Sequence, residues 1–509
     1  MSETTASPVT PTTAPDPRRW KALAFIAMAQ LLVNLDTTIV NIALPSAQAD
    51  LGISDGNRQW IVTAYALTFG GLLLLGGRIA DLWGRRRTFL TGLIGFAAAS
   101  VLGGAAGDQI PLFAARALQG AFGALLAPAA LSLLAVLFTD HQERGKAFGL
   151  YAAISGSGAA IGLLLGGVLT EYLDWRWTLY VLAPVALLAA AGAAAVIREP
   201  AGTRNRSPLD LPGAVLSTLG LAGLVYGVTR AESHGWDDTT TIALLAGAVI
   251  VLVLFVVLQA KVKAPLLPLR VVTDRNRGGA FLSLGLAIIG LFGLFLFLTY
   301  YLQVVKGYSA VLTGVAFLPL TVGLMAGSTQ IGARLLPRVP PRLIMGPGFL
   351  LAALGLLLLT QLEAGSSYAL FVLPGQLLFG LGLGTAMIPA ISLATIGVRP
   401  GDAGVASAMV NTAQQIGGAI GTALLNTIAA GVTAAYVDAH AGEEAAPSAG
   451  MVDGFTTAFW WSVGILLVAA VVVLAAVDAR APGGPAAGPP DAEPSSPAPS
   501  GTAEPAQQA

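Results

Sequence analysis

Apolar runs of about twenty residues recur along nearly the whole chain, each ended by charged residues or by Pro and Gly, and about that many helical residues cross a hydrocarbon layer of ~30 Å. Read this way, the sequence predicts about fourteen spanning helices, over 22–44, 58–77, 88–106, 111–135, 147–170, 177–197, 210–229, 241–260, 279–302, 312–333, 343–361, 369–393, 404–429 and 456–477. A polar, Pro- and Thr-rich head precedes them (1–21) and a Pro, Ala, Gly and Ser tail follows (481–509). Neither composition buries enough apolar surface to order itself, so both are expected to be disordered. The first run lacks a small-residue cleavage site and reads as a retained span, not a signal peptide.

Charge tests the count, because cytoplasmic loops collect Lys and Arg. With the head inside, alternate loops and tails hold all but five of the 27 basic residues. The opposite loops hold only Arg58, Arg176, Arg230 and Lys306, and Arg116 falls within a span. One helix more or fewer destroys that asymmetry, so an even number of spans with both termini cytoplasmic is expected.

Composition agrees and excludes other classes. The chain is 55% hydrophobic and 11% charged, and its 27 acidic residues cancel the basic ones. No global field draws nucleic acid to it. Cys is absent and the 3 His, at 141, 234 and 440, lack ligand spacing, so neither a thiol nor a metal centre is expected.

One motif is far more specific than composition. Gly77-Arg78-Ile79-Ala80-Asp81-Leu82-Trp83-Gly84-Arg85-Arg86-Arg87 follows the second run, and it resembles the major facilitator signature between helices two and three. Its glycines are read as a tight turn, its acid and basic cluster as partners that exchange as two halves rock. The first run carries Leu35-Asp36-Thr37-Thr38-Ile39-Val40-Asn41-Ile42-Ala43-Leu44-Pro45, the fourth Arg116-Ala117-Leu118-Gln119-Gly120, and the fifth Gly158, Gly162, Gly166 and Gly167. These resemble motifs of the fourteen-helix drug:proton antiporters within the major facilitator superfamily, although Leu163 stands where the fifth-helix motif usually has proline. A degenerate echo of the loop, Gly332-Ala333-Arg334 through Arg338 and Arg342, follows the tenth run, where a second, repeated half would place it.

The resemblance implies an all-α integral membrane protein of major facilitator fold: a six-helix bundle over 22–198, a linker with two inserted helices over 199–264, and a second six-helix bundle over 265–480. It implies a monomer in the bacterial inner membrane, embedded in lipid, that needs no cofactor and exports hydrophobic drugs, antibiotics or secondary metabolites in exchange for protons. The competing reading is a proton-coupled importer of a small metabolite. An enzyme is not expected, since no nucleophile, base or metal set converges.

An ionised group at bilayer depth is costly unless paired or hydrated, which makes it a functional candidate. Asp36 and Arg116 are the two clear cases, at roughly 12 and 8 Å below the opposite surface at ~1.5 Å per residue. The functional reading makes Asp36 the proton-coupling carboxylate, tuned by Arg116 directly or through Gln119; the bland one is a purely stabilising buried pair. Gly158, Gly162 and Gly166 advance ~40° per step and so form one shallow groove; by resemblance its partner is the tenth helix, and Gly167 belongs to the same motif. By resemblance also, Asp81 meets the start of the thirteenth helix, and Arg85 pairs with Asp140 or Glu143, with Gly77, Gly84 and Arg86 completing the switch loop. Candidate cavity contacts are Asn34, Thr37, Asn41, Tyr65, Gln119, Tyr301, Gln303, Asn411, Gln414 and Gln415. With only Asp36 available to neutralise a cation there, neutral, weakly acidic or monocationic hydrophobic compounds fit the cavity better than dications.

Overall fold

The computed structural model describes residues 18–479, apart from 139–140, 198–209, 264, 396–397, 399–402, 442 and 444. Every predicted span coincides with a helix. They run α1 Arg19–Leu51, α2 Trp60–Trp83, α3 Arg85–Gly104, α4 Gln109–Leu137, α5 His141–Tyr172, α6 Trp177–Val196 and α7 Leu211–His234. The remainder are α8 Thr239–Lys261, α9 Arg275–Val305, α10 Ala310–Leu335, α11 Arg342–Leu359, α12 Tyr368–Thr395, α13 Ala403–Ala439 and α14 Ala446–Ala476. Twelve are long and apolar enough to cross a membrane over their described residues; α2 and α5 contribute shorter described apolar stretches, 60–73 and 160–172.

Local chemistry explains where several helices begin. Asp210, Asp238 and Asp274 each cap an N-terminus, accepting from the amides of Gly213, Thr241 and Arg277 at 2.9, 2.9 and 3.0 Å. The predicted disordered head is too long by three residues, because Arg19 to Lys21 form the first turn of α1. Side-chain contacts hold that turn: Arg19 donates through Nε and Nη2 to the two Glu143 carboxylate oxygens at 3.1 and 2.7 Å, and the Trp20 ring packs edge-on to Phe138 at 5.0 Å. Residues 1–17, the tail and the segment 198–209 lie outside the described residues.

The packing repeats itself with an offset of eight helices. α1 lies on α5 as α9 lies on α13, α2 on α4 as α10 on α12, and α3 on both α4 and α6 as α11 on both α12 and α14. That recurrence is the two-bundle fold, with α7 and α8 outside the repeat. α7 packs on α8 and also on α2 and α13. Thr218 of α7 lies beside Gly71 of α2, its hydroxyl donating to the Gly71 carbonyl at 3.4 Å, and Thr427 of α13 donates to the Val228 carbonyl of α7 at 3.4 Å. The inserted pair therefore runs along the seam between the bundles, while most of α8 is left for lipid.

The switch loop is shorter than the sequence suggests. Gly77 lies inside α2, where an added Cβ would meet only Pro128 at an ordinary 3.5 Å; the whole turn is Gly84, at φ 105° and ψ 133°. L-residues avoid that region, so Gly84→Ala is expected to cost about 1–3 kcal/mol, read as a lower thermal midpoint of the detergent-purified protein. An unchanged midpoint would show that the turn tolerates a side chain.

Candidate functional site

The first ionisable pair is buried as one unit. Asp36 and Arg116 are 0% and 1% exposed, and Arg116 Nη1 donates to both carboxylate oxygens at 2.8 Å. The guanidinium also donates through Nε to the Ile61 carbonyl of α2 at 2.8 Å and through Nη1 to Gln119 Oε1 at 2.7 Å. Gln119 returns its amide to Asp36 Oδ1 at 3.3 Å and to Ser100 Oγ of α3 at 2.8 Å. The Tyr65 ring lies 4.6 Å from the guanidinium carbon, a cation–π distance. One carboxylate is thus tied to side chains or backbone of α1, α2, α3 and α4.

Ser100 and the Ile61 carbonyl were missed by the sequence reading. Ser100 carried a signal, a hydroxyl in an apolar run; a backbone acceptor carries none.

The groove of α5 has a different partner from the one the resemblance implies. An added Cβ at Gly158 would lie 3.1 Å from Asn34 Cβ, one at Gly162 would strike Thr38 Oγ1, and one at Gly166 would come within 2.9 Å of the Ile39 carbonyl. All three neighbours belong to α1. A residue one step round the helix, Gly167, faces α10 instead, with Ala310 O and Val311 Cα at 2.7 and 2.8 Å from its built Cβ. Gly314 of α10 answers it, its built Cβ 2.5 Å from the Leu163 carbonyl. The turn of ~100° between adjacent helical residues separates the two faces.

Near the face opposite the termini, further contacts hold the two bundles together. Glu171 at the end of α5 accepts from the Val311 amide in the first turn of α10 at 2.8 Å, and Gln303 donates to the Ile42 carbonyl at 2.9 Å. Tyr300 donates to Gln48. Arg58, counted as a loop charge from sequence, is 3% exposed: it donates to Asn426 Oδ1 of α13 at 3.0 Å and covers the Tyr300 ring of α9 at 4.1 Å. The structure is shut at this face. Trp175 is buried here and donates through Nε1 to Asp50 at 3.1 Å.

At the other face, Arg86 donates to the Ala194 carbonyl at the end of α6 at 2.7 Å. Glu143, one candidate for Arg85, forms an ion pair with Arg19. The side chain of Asp81, Asp140 and the residues just before α13 lie outside the described residues.

The ten predicted cavity residues do not form one lining. Tyr65 and Gln119 belong to the Asp36 network. Tyr301 is 1% exposed and donates to the Glu363 carbonyl at 2.7 Å, because a π-helical stretch over Tyr301–Val305 turns it toward the α11–α12 loop. Thr37 donates to the Asn34 carbonyl at 2.8 Å and Asn41 to the Thr37 carbonyl at 2.6 Å, both within α1. Asn34, Asn411, Gln414 and Gln415 are half-buried, and Gln415 lies against Gly70 of α2 across the seam.

Residues 26–422 match the family model of the Major Facilitator Superfamily. The chain belongs to that superfamily. This major facilitator protein is 57% identical over 468 residues to the puromycin resistance protein pur8 of Streptomyces alboniger, covering 92% of this chain and 93% of that one. It is 39% identical to the cephamycin export protein CmcT of Amycolatopsis lactamdurans, covering 80% of this chain and 84% of that one. It is 34% identical to the lincomycin resistance protein of Streptomyces lincolnensis, covering 90% and 92%. In fold it is similar to a bacterial homologue of the human lysosomal transporter Spinster, crystallised inward-facing and unoccupied, with a TM-score of 0.66 at 16% identity over 91% of this chain and 98% of that one. The major facilitator assignment makes the chain a multi-pass membrane transporter of small molecules and not an enzyme.

Proposed function

We propose that the protein exports small, largely apolar antibiotics or secondary metabolites across the bacterial inner membrane in exchange for protons, with both termini in the cytoplasm and a monomer as the working unit. The observation that carries the proposal is the run of resistance and export proteins similar to it over most of its length. The buried Asp36–Arg116 pair gives that export a coupling device. Loss of a proton from Asp36 restores its bond to Arg116, and gain of one frees the guanidinium to its other acceptors, Ile61 O and Gln119 Oε1. A ligand moves a conformational equilibrium only as far as it prefers one state, and a proton meets that condition if the network is intact in only one of them.

In this reading the bundles over 22–198 and 265–480 rock about the seam. Gly167 against α10 and Arg58 against α9 and α13 close the outer side, and the loop of Asp81, Gly84, Arg85 and Arg86 closes the inner one. Asn34, Asn411, Gln414 and Gln415 line the path between. With both termini in the cytoplasm, the face shut in the described state is the outer one. Gly158, Gly162 and Gly166 serve this cycle by keeping α1, which carries Asp36, seated on α5.

The test is reconstitution into proteoliposomes with an imposed pH difference, using puromycin, a cephamycin and lincomycin as first cargoes. Expected is uphill movement of at least one of them against the proton flux, abolished by a protonophore. Equal rates with and without the pH difference, and no accumulation, would overturn the coupled reading. Uphill movement in the same direction as the protons would support the importer instead.

A further inference from the structure

A cavity lies on the face opposite the termini, and Trp60 in its lining is the chain neighbour of Ile61, whose carbonyl belongs to the Asp36 network. The cavity has a volume of about 680 Å³, within the range of clefts that hold drug-sized molecules. Its walls come from three sources: the α1–α2 loop, the end of the inserted helix α7, and α13 with α14 of the second bundle. It exists because α7 packs along the seam; without that helix this side of α2 and α13 would face lipid.

The lining chemistry is specific. Trp60 and Tyr226 form a tilted aromatic pair with centroids 6.4 Å apart, and Phe455 lines the cavity where it approaches Arg58. Two arginines also line it, and each already has an acid: Arg58 pairs with Asp55 at 3.3 Å and Arg230 with Asp238 at 3.3 Å. Asp438 on α13 is an exposed lining carboxylate for which the described residues supply neither a hydrogen bond nor an ion pair. Counting Asp238, the carboxylates at this cavity (Asp55, Asp238, Asp438) outnumber its two arginines by one, with His234 also in the lining, and the aromatic faces that share it attract cations by their quadrupoles.

We propose that this cavity is a second ligand site, which takes a monocationic aromatic molecule with its charge toward Asp438 and its ring system against Trp60 and Tyr226. It gives the inserted helix a recognition role, and it stands independently of the direction and energy source of transport. Because its floor is the Arg58 contact that holds the bundles together, the site belongs to the shut state of this face.

The experiment is an equilibrium titration of the full-length protein in lipid nanodiscs, without a pH difference, with ethidium as the probe and fluorescence anisotropy as the readout. Asp438→Asn is expected to weaken ethidium by about fivefold, the scale of a partly exposed ion pair. Asp438→Glu is expected to retain binding, and Ala434→Trp, which fills the cavity from an exposed position on α13, to weaken it as well. Uncharged phenanthridine should fail to displace the probe. Binding unchanged in both Asp438→Asn and Ala434→Trp would overturn the site. Weakening by Ala434→Trp alone, with Asp438→Asn unchanged, would overturn the cationic ligand class. Should Ala434→Trp not fold, Asp438→Asn alters one exposed carboxylate and decides the matter alone. Transport enters none of these readings, so a failure of the export proposal leaves them interpretable.

Discussion

Asp36→Asn is expected to cut pH-driven efflux by about 100-fold, near the upper end of the coupling free energies that link two binding events. The same substitution leaves Arg116 buried with its charge unmatched, and removing one partner of a buried pair costs about 3–5 kcal/mol. Loss of activity in this variant alone would therefore not separate a coupling role from a purely stabilising one. The double variant Asp36→Asn, Arg116→Gln separates them. It removes both charges and leaves amides at 36 and 116 that can bond with Gln119 and the Ile61 carbonyl, so the thermal midpoint is expected to recover most of what the single variant loses. If the pair is only structural, transport returns with stability. If Asp36 carries the proton, transport down a cargo gradient returns and uphill transport does not. Full proton-coupled transport by the double variant would end the coupling assignment.

The spans were legible because bilayer thickness sets a length that periodic breaks in an apolar sequence must match, and Asp36 and Arg116 were legible because an ionised residue in such a run has few permitted explanations. What sequence does not carry is direction around a helix axis. A spacing of four shows that Gly158, Gly162 and Gly166 share a face and says nothing of which helix lies on it; α1 and α10 were equally compatible. The same ambiguity hid Arg58. Its neighbours in sequence are the polar residues of a short loop, so it read as a surface charge, whereas its partners Tyr300 and Asn426 lie on helices more than two hundred residues away. Tyr301 failed for a related reason: a π-helical stretch shifts the register that a uniform helix would have given it. Polar residues placed in one cavity by span membership were instead divided between a buried network, intrahelical bonds and the seam.

Gly167→Leu and Gly162→Leu, five residues apart on one helix, are expected to fail differently. At Gly162 the new side chain meets Thr38 and the Leu35 carbonyl of α1, a contact inside one bundle. Nothing in the alternating cycle relieves it, so overpacking of about 1–3 kcal/mol is paid in every state, and the protein should show a lowered thermal midpoint in detergent with transport reduced in proportion to folded yield. At Gly167 the side chain meets Ala310 and Val311 of α10, a contact between bundles. Separation of the bundles at this face relieves it. The protein should therefore keep its thermal midpoint and lose transport, held with the face opposite the termini open. The distinction is read by labelling Cys introduced singly at Gln48, whose side-chain Oε1 accepts from Tyr300 across the same seam, with a membrane-impermeant maleimide: labelling should rise at least fivefold in Gly167→Leu and stay unchanged in Gly162→Leu. A Gly167→Leu protein that transports normally, or that labels like the parent while inactive, would remove the Gly167 packing against α10 from the gate and leave closure of this face to the Arg58 and Gln303 contacts.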